Sequence, residues 1–142
     1  MKCTLLLSGI LLLLSSCSKE DIGPRLKREA EEKMIGKWIL ERRVSEVYAP
    51  IVAHPVPGTG SSTEYTGNAD DYFQFQTDKH LLIDTAATLN HTDFEVINPS
   101  QVVIGLQPWR IEELTANRLL LVWDRNDGAQ NKRFITKIYL KK

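Results

Sequence analysis

Cysteine is scarce in this chain. There are two, Cys3 and Cys17, and both lie close to its start. From residue 18 onward no thiol is present that could form a disulfide, carry redox chemistry or bind zinc through sulfur. A domain built from the rest of the chain must therefore be held together by packing and hydrogen bonds alone.

Catalytic motifs are also missing. The sequence contains no Gly-x-Ser-x-Gly, His-Glu-x-x-His or Cys-x-x-Cys motif and no glycine-rich phosphate loop. Its three histidines, His54, His80 and His91, are scattered, and none is followed two or four residues later by a histidine or cysteine. Eighteen basic residues balance eighteen acidic ones, which gives no indication of a nucleic-acid partner. The sequence predicts no catalytic site, no metal site and no cofactor, so we expect a protein that is not an enzyme.

Long apolar runs are absent after residue 14. The one such run, Leu5–Leu14, follows the single cation Lys2 and ends before the charged Lys19-Glu20-Asp21. It is shorter than the roughly 20 residues that a membrane-spanning helix needs. Its length and position are typical of the apolar part of a signal peptide.

The end of this segment resembles a known processing site. Leu14-Ser15-Ser16-Cys17 resembles the lipobox of bacterial lipoproteins. The resemblance implies that residues 1–16 are a signal peptide and that Cys17 carries lipid, with residues 17–23 as a lipidated tether. Two or three acyl chains hold a protein on a membrane stably, so the membrane is one expected partner.

The tether gives a further indication of location. Ser18-Lys19-Glu20-Asp21 resembles a short signal by which some Gram-negative bacteria send lipoproteins to the outer face of the outer membrane. The alternative is a plain solvated tether. We expect a lipid-anchored protein of the cell envelope, located at the outer membrane.

One short helix follows. Pro24 suits a first helical position, Gly36 suits a helix end, and Leu26, Ala30 and Met34 repeat every four residues. The pattern predicts a helix over residues 24–35. Its narrow apolar stripe is typical of a helix that lies against a domain.

Residues 36–142 change to a period of two, which is typical of strands. Eight short segments alternate apolar and polar residues and are separated by turn residues; they centre on 37–48, 72–77, 81–83, 94–96, 102–106, 109–111, 119–123 and 134–140. The fold class predicted is therefore all-β, an eight-stranded up-and-down meander preceded by a short N-terminal helix. Closure of such a sheet into a barrel removes both edges and encloses a small cavity.

Two motifs in this region carry a family resemblance. Gly36-Lys37-Trp38 is similar to the Gly-x-Trp that opens lipocalins, and the run from Trp109 through Ile111 and Leu114 to Leu119 resembles that of small bacterial lipocalin-like lipoproteins. The resemblance covers residues 34 to 140. It implies an eight-stranded barrel or half-open sheet, no chemistry of its own in most members, and often a ligand that is not known. The arginine that usually packs on the tryptophan and a C-terminal helix have no counterpart in the sequence.

Ala49 to Asp71 forms the longest connection. Loops of this length in compact domains are usually functional or disordered. In a lipocalin-like barrel it would lie over the open end as a lid, with Ile51, Val52, Val56 and Tyr65 covering an apolar ligand. The alternative is a flexible loop.

Arg42 is the unusual residue of the first strand. Simple alternation places it on the same face as Trp38, Leu40 and Val44, where a charge needs a partner. That partner is either Glu46, four residues on, or an anionic ligand. Aromatic residues of the same barrel complete the candidate ligand-binding set, which is Arg42, Tyr48, Tyr65, Trp109 and Trp123.

The sequence is compatible with two functions. In one, the protein carries a small apolar or amphipathic ligand in its barrel. In the other, large inward side chains fill the barrel, and the protein is an interaction or scaffold lipoprotein that docks another envelope protein. The volume of the cavity distinguishes them, since a drug-sized ligand needs roughly 300 Å³ or more.

Overall fold

A computed structural model describes residues 22–57, 59–86 and 88–142. The predicted signal peptide, Cys17 and the start of the tether lie outside the described residues. The helix and strands, in chain order, are α1 (Ile22–Met34), β1 (Gly36–Tyr48), β2 (Ser61–Thr66), β3 (Tyr72–Phe75), β4 (His80–Thr85), β5 (Thr88–Asn98), β6 (Gln101–Ile104), β7 (Gln107–Leu114), β8 (Arg118–Asp127) and β9 (Lys132–Lys141). Within these ranges, no helix is long and apolar enough to cross a membrane.

Eight of the strands form a closed antiparallel barrel. From β3 to β9 each strand pairs with the next, and β1 pairs with β3 on one side and β9 on the other. The predicted fold class, an all-β meander with one short helix before it, is confirmed, and the barrel is closed rather than half-open. The eight predicted strands all exist, and β2 is an additional ninth strand.

The wall of the barrel is divided along one edge of β1. The first part of β1 pairs with β3, from Gly36 opposite Phe75 to Ile39 opposite Tyr72. The later part pairs with β2 on the same side, from Arg42 to Val47. Among the described strands, β2 pairs with β1 alone, so its outer edge faces a gap in the wall.

Bulges in β1 and β7 change which residues face inward. The register against β9 shifts between Leu40 and Arg42, and the register between β7 and β8 shifts between Ile111 and Glu113. An extra residue in one strand reverses the alternation that follows it. In β1 the inward residues are therefore Trp38, Leu40 and Arg43, the same spacing as Trp109, Ile111 and Leu114 in β7.

One end of the barrel is closed by α1, and we call it the closed end. Ala30 and Met34 are buried there, and the Trp38 indole N–H donates a hydrogen bond to the Met34 carbonyl (2.7 Å). The core fills this end with side chains that are almost completely buried, among them Trp38, Phe75, Leu81, Val96, Val102 and Leu119. Phe75 and Phe94 meet edge to face with ring centres 5.0 Å apart.

Lys142 places a cation over the Trp38 ring. This is the position for which an arginine was expected from the lipocalin resemblance and was not found in the sequence. The Lys142 ammonium lies 4.5 Å from the centre of the Trp38 ring. The same group donates to the carbonyls of Lys33 and Ile35, each at 3.1 Å, where α1 ends. The C-terminal strand is thus tied to the N-terminal helix.

Three features of the helix and of the connection after β1 differ from those predicted. The helix extends from Ile22 to Met34 and not over residues 24–35. The stripe of α1 buries Ala30 and Met34 but leaves Leu26 39% exposed, because only its last turns reach the barrel. The connection after β1 is not one long loop, since its second half forms β2 and pairs with β1.

Candidate functional site

The end of the barrel opposite α1, which we call the open end, contains a cavity of about 310 Å³. Its apolar wall comes from Leu40, Phe73, Ile83, Ile104 and Ile138, which belong to or pack against the main core. Uncharged polar residues, Thr85, Thr88, Asn90, Gln107 and Thr136, form much of the remainder. The site is thus an apolar chamber with hydrogen-bonding groups around it, which suits a molecule with an apolar body.

Trp109 and Trp123 form one side of this cavity. Their ring centres are 6.3 Å apart and their planes are inclined by 34°. The indole Nε1 of Trp109 is buried and has no hydrogen-bond partner in the described chain. An unsatisfied buried donor costs about 1–3 kcal/mol, so a ligand acceptor that reached it would recover part of that energy. Both tryptophans predicted from the sequence are therefore located in the cavity wall.

Tyr65 also lines the cavity and is held by the buried carboxylate of Asp71. The Tyr65 hydroxyl donates to Asp71 Oδ2 at 2.7 Å, and the Asn68 amide donates to the same oxygen at 2.9 Å. Asp71 Oδ1 accepts from the Ala86 amide at 2.6 Å. Because Tyr65 is in β2 and Ala86 is in the turn between β4 and β5, Asp71 connects the two sides of the gap in the barrel wall. We call these three hydrogen bonds the Asp71 clamp.

The clamp shifts the ionisation of both side chains. Hydrogen bonds from the Asn68 amide, the Tyr65 hydroxyl and the Ala86 amide hold the pKa of Asp71 below its usual value, although burial acts in the opposite direction. The hydrogen bond to Asp71, burial and the carboxylate charge raise the pKa of Tyr65. Both shifts favour a charged carboxylate beside a neutral phenol that donates to it.

Arg42 does not face the cavity, and the predicted placement beside Trp38 and Leu40 is wrong. The bulge at Glu41 reverses the alternation, so Arg42 lies on the outer surface, with its guanidinium 4.1 Å from the Tyr139 ring centre and 3.8 Å from Glu64. Its neighbour Arg43 is the arginine that lines the cavity. The predicted core position of Val44 is wrong for the same reason, and Glu46 pairs with Lys137 (3.1 Å) instead of Arg42.

Tyr48 is likewise outside the cavity. It is 4% exposed and belongs to a small second cluster with Val122 and Ile135 on the outer face of the sheet. Gly60 lies so close that an added Cβ would come within 2.9 Å of the Tyr48 ring. Burial and then the nearby Glu46 carboxylate raise the pKa of Tyr48. Its role is structural, because it packs the chain after β1 against the barrel wall.

The predicted lid does not cover the cavity. Arg133 donates to the carbonyls of Val52 (2.8 Å) and Ala53 (2.7 Å), and the Asn131 side chain accepts from the Ile51 amide. Two further bonds fix Arg133 to Asp124 and lower the pKa of that carboxyl. The part of the segment around residues 51–53 is thus held against the β8–β9 hairpin. Of the four residues predicted to cover the ligand, Ile51, Val52 and Val56 are not in the cavity lining, whereas Tyr65 lines the cavity as part of the wall strand β2.

A larger groove of about 640 Å³ lies on the surface beside α1. Most of its charged residues pair with one another: Lys79 with Glu31, Lys27 with Glu95 at 3.7 Å, and the His80 ring with Asp93 at 2.6 Å. Asp78, which also lines the groove, accepts a hydrogen bond from the His80 amide. Both lysines of the groove already have carboxylate partners and the groove is open to solvent, so it is a weaker candidate than the cavity. Within the described ranges no group of three or more histidine, cysteine or acidic residues could hold a metal ion.

Comparisons of the chain with models of protein families, with curated proteins and with solved structures found no match. The lipocalin resemblance therefore stays a prediction that depends on the motifs quoted above.

Proposed function

We propose that this protein is a lipid-anchored lipoprotein of the cell envelope that binds a small apolar or amphipathic molecule inside its barrel. The observation that carries the proposal is the cavity of about 310 Å³ at the open end. This volume is at the lower limit of the range that ligand pockets occupy. An apolar wall with a few hydrogen-bonding groups is the composition expected of such a pocket.

The lipid anchor would orient the cavity. Cys17 precedes Ile22 by a short segment that spans at most roughly 18 Å when fully extended. Since α1 lies at the closed end, a lipid on Cys17 would keep that end near the membrane. The cavity lies at the other end and would face the aqueous phase, so that a ligand would enter from that phase.

Lipidation is tested by the substitution Cys17→Ser in the producing bacterium. We expect the natural chain to partition with membranes and to carry acyl chains on residue 17 by mass spectrometry. The variant should lose the acyl mass and either remain unprocessed or become soluble. Identical processing and membrane partition of the variant would contradict the lipoprotein assignment.

Binding is tested with decanol, an uncharged apolar probe, and with the intrinsic fluorescence of Trp109 and Trp123. Thr136→Phe places a ring in the cavity and should weaken decanol binding by about tenfold or more. Leu89→Phe is the matched control, because Leu89 is 67% exposed and does not line the cavity. It should leave binding unchanged.

Native mass spectrometry of protein extracted from its own membrane provides the second measurement. We expect a bound small molecule that is retained by the Leu89→Phe variant and lost from Thr136→Phe. If no mass is bound and decanol does not bind, the carrier function is wrong. The remaining function is then the scaffold lipoprotein, which docks another envelope protein through its outer surface.

A further inference from the structure

Arg43 is the one charged side chain among the residues that line the cavity. It lies opposite Ile138 on β9 and opposite Tyr65 on β2, and both of these residues also line the cavity. All other lining residues are apolar or uncharged polar residues, so the chamber has a single positive charge and no carboxylate of its own.

The charge on Arg43 is not compensated by the protein. Each of the other arginines in the described part of the chain has a carboxylate oxygen within 4.0 Å, but Arg43 has none. Its guanidinium carbon lies 5.7 Å from the centre of the Tyr65 ring. Arg43 is exposed as well as part of the cavity lining, so its guanidinium is accessible to an anion that enters from the solvent.

Nearby acidic groups cannot supply that anion. Tyr65 is kept neutral, because its hydroxyl donates to Asp71 and its pKa is raised. Asp71 uses one oxygen for Tyr65 and Asn68 and the other for Ala86. The hydrogen-bonding capacity of Arg43 is therefore left for a molecule from outside the chain.

We propose that the cavity binds an amphipathic monoanion, with an apolar chain against Leu40, Phe73 and Ile83 and a carboxylate bound by Arg43. This inference deepens the proposed carrier function and depends on it. A single guanidinium matches one carboxylate, whereas a phosphate dianion would leave an uncompensated charge in the chamber.

The test compares decanoate with decanol, which share an apolar chain and differ in the carboxylate. Both probes are titrated by tryptophan fluorescence into the full chain with Cys17→Ser, so that the protein's own lipid does not compete. We expect decanoate to bind at least about tenfold more tightly than decanol, because the ion pair is added to the same apolar contact.

Two neighbouring arginines provide the matched variants. Arg43→Met should weaken decanoate binding by about tenfold or more and leave decanol binding within about twofold. Arg42→Met removes an equal charge from the outer surface and should change neither affinity. High salt should weaken decanoate binding and spare decanol, which tests the same ion pair without any substitution that could affect folding.

The outcomes separate this inference from the function on which it depends. If decanol and decanoate bind equally, or if Arg43→Met and salt leave decanoate affinity unchanged, the anion site is wrong and the apolar cavity stands. If neither probe binds, the carrier function itself is wrong. A loss of decanoate affinity with Arg42→Met equal to that with Arg43→Met would show general surface attraction, which also overturns the anion site.

Discussion

The two ends of the barrel are built by the same strands and differ in how their inward positions are filled. Along β9 the inward residues are Leu140 and Ile138 toward the closed end and Thr136 toward the open end. Along β1 they are Trp38 and Leu40, followed by Arg43. The inward side chains at the open end are therefore more polar than those at the closed end.

The walls of the two ends differ as well. At the closed end β3 continues the sheet directly from β1, and α1 covers the core. At the open end β2 takes the place of β3, and the Asp71 clamp joins β2 to the turn after β4. Packing stabilises one end, whereas the other depends on a few hydrogen bonds. Substitutions at the two ends should therefore differ in size and in pH dependence.

The largest effect should come from Trp38→Ala at the closed end. Trp38 is fully buried and supports α1 through its hydrogen bond to Met34, so its truncation should cost about 3–5 kcal/mol in the free energy of unfolding. Urea denaturation followed by circular dichroism measures this cost. Trp123→Ala at the open end is the comparison and should cost less, because one side of that ring faces the cavity. Equal costs would show that the open end is packed as densely as the closed end.

A smaller effect is expected from Gly67→Ala, beside the bulge in β1. A Cβ at residue 67 would lie 1.9 Å from the Leu40 carbonyl oxygen, and the Gly67 amide donates to the Glu41 carbonyl at 2.9 Å. The backbone must move to admit the methyl group, at a cost of about 1–3 kcal/mol. Gly128→Ala is the control, since its Cβ would meet nothing within 4 Å. A Gly67→Ala variant as stable as this control would mean that the bulge is not tightly packed.

The same bulge marks the limit of what the sequence predicts. Alternating apolar residues located all eight barrel strands, and Pro24 and Gly36 located the helix to within two residues. The faces of β1 were predicted correctly as far as Leu40 and incorrectly from Arg42 onward. No particular residue type marks the site of a bulge. The extra residue moves every side chain that follows it to the opposite face of the strand.

The candidate site was predictable in part. Tyr65, Trp109 and Trp123 are aromatic residues that a barrel is expected to use, and all three line the cavity. The polar strand β2 has little apolar alternation, because all of its side chains except that of Tyr65 are exposed. The partners of Asp71 in the clamp are three, six and fifteen residues away, at spacings that belong to no known motif. No local pattern distinguishes Asp71 from its neighbour Asp70.

Asp71→Asn should weaken the open end in a pH-dependent manner. Because the folded protein lowers the pKa of Asp71, its contribution to stability is fully present above the unfolded pKa of about 4 and is lost as pH falls through the folded pKa. The variant should unfold at lower urea than the natural protein at pH 7, and the difference should shrink toward pH 2. Tyr65→Phe is the control, because it removes one hydrogen bond and keeps the carboxylate. A difference that stayed constant from pH 7 to about pH 2 would contradict an ionised clamp.

The smallest effect tests the tie between the chain's two terminal elements. Lys142→Met keeps the length of the side chain but removes its charge from the Trp38 ring and from the carbonyls of Lys33 and Ile35. An exposed cation over an aromatic ring contributes about 0.5–1 kcal/mol, and a cation at a helix C-terminus adds a similar amount.

Lys141→Met is the matched control, since that residue makes an exposed ion pair with Glu41 (3.3 Å). A contact of this type is worth about 0.2–1 kcal/mol. Lys142→Met should be the more destabilising of the two in urea, and amide hydrogen exchange should rise at the end of α1 in that variant alone. Equal effects of the two substitutions would mean that the closed end is held by apolar packing without help from Lys142.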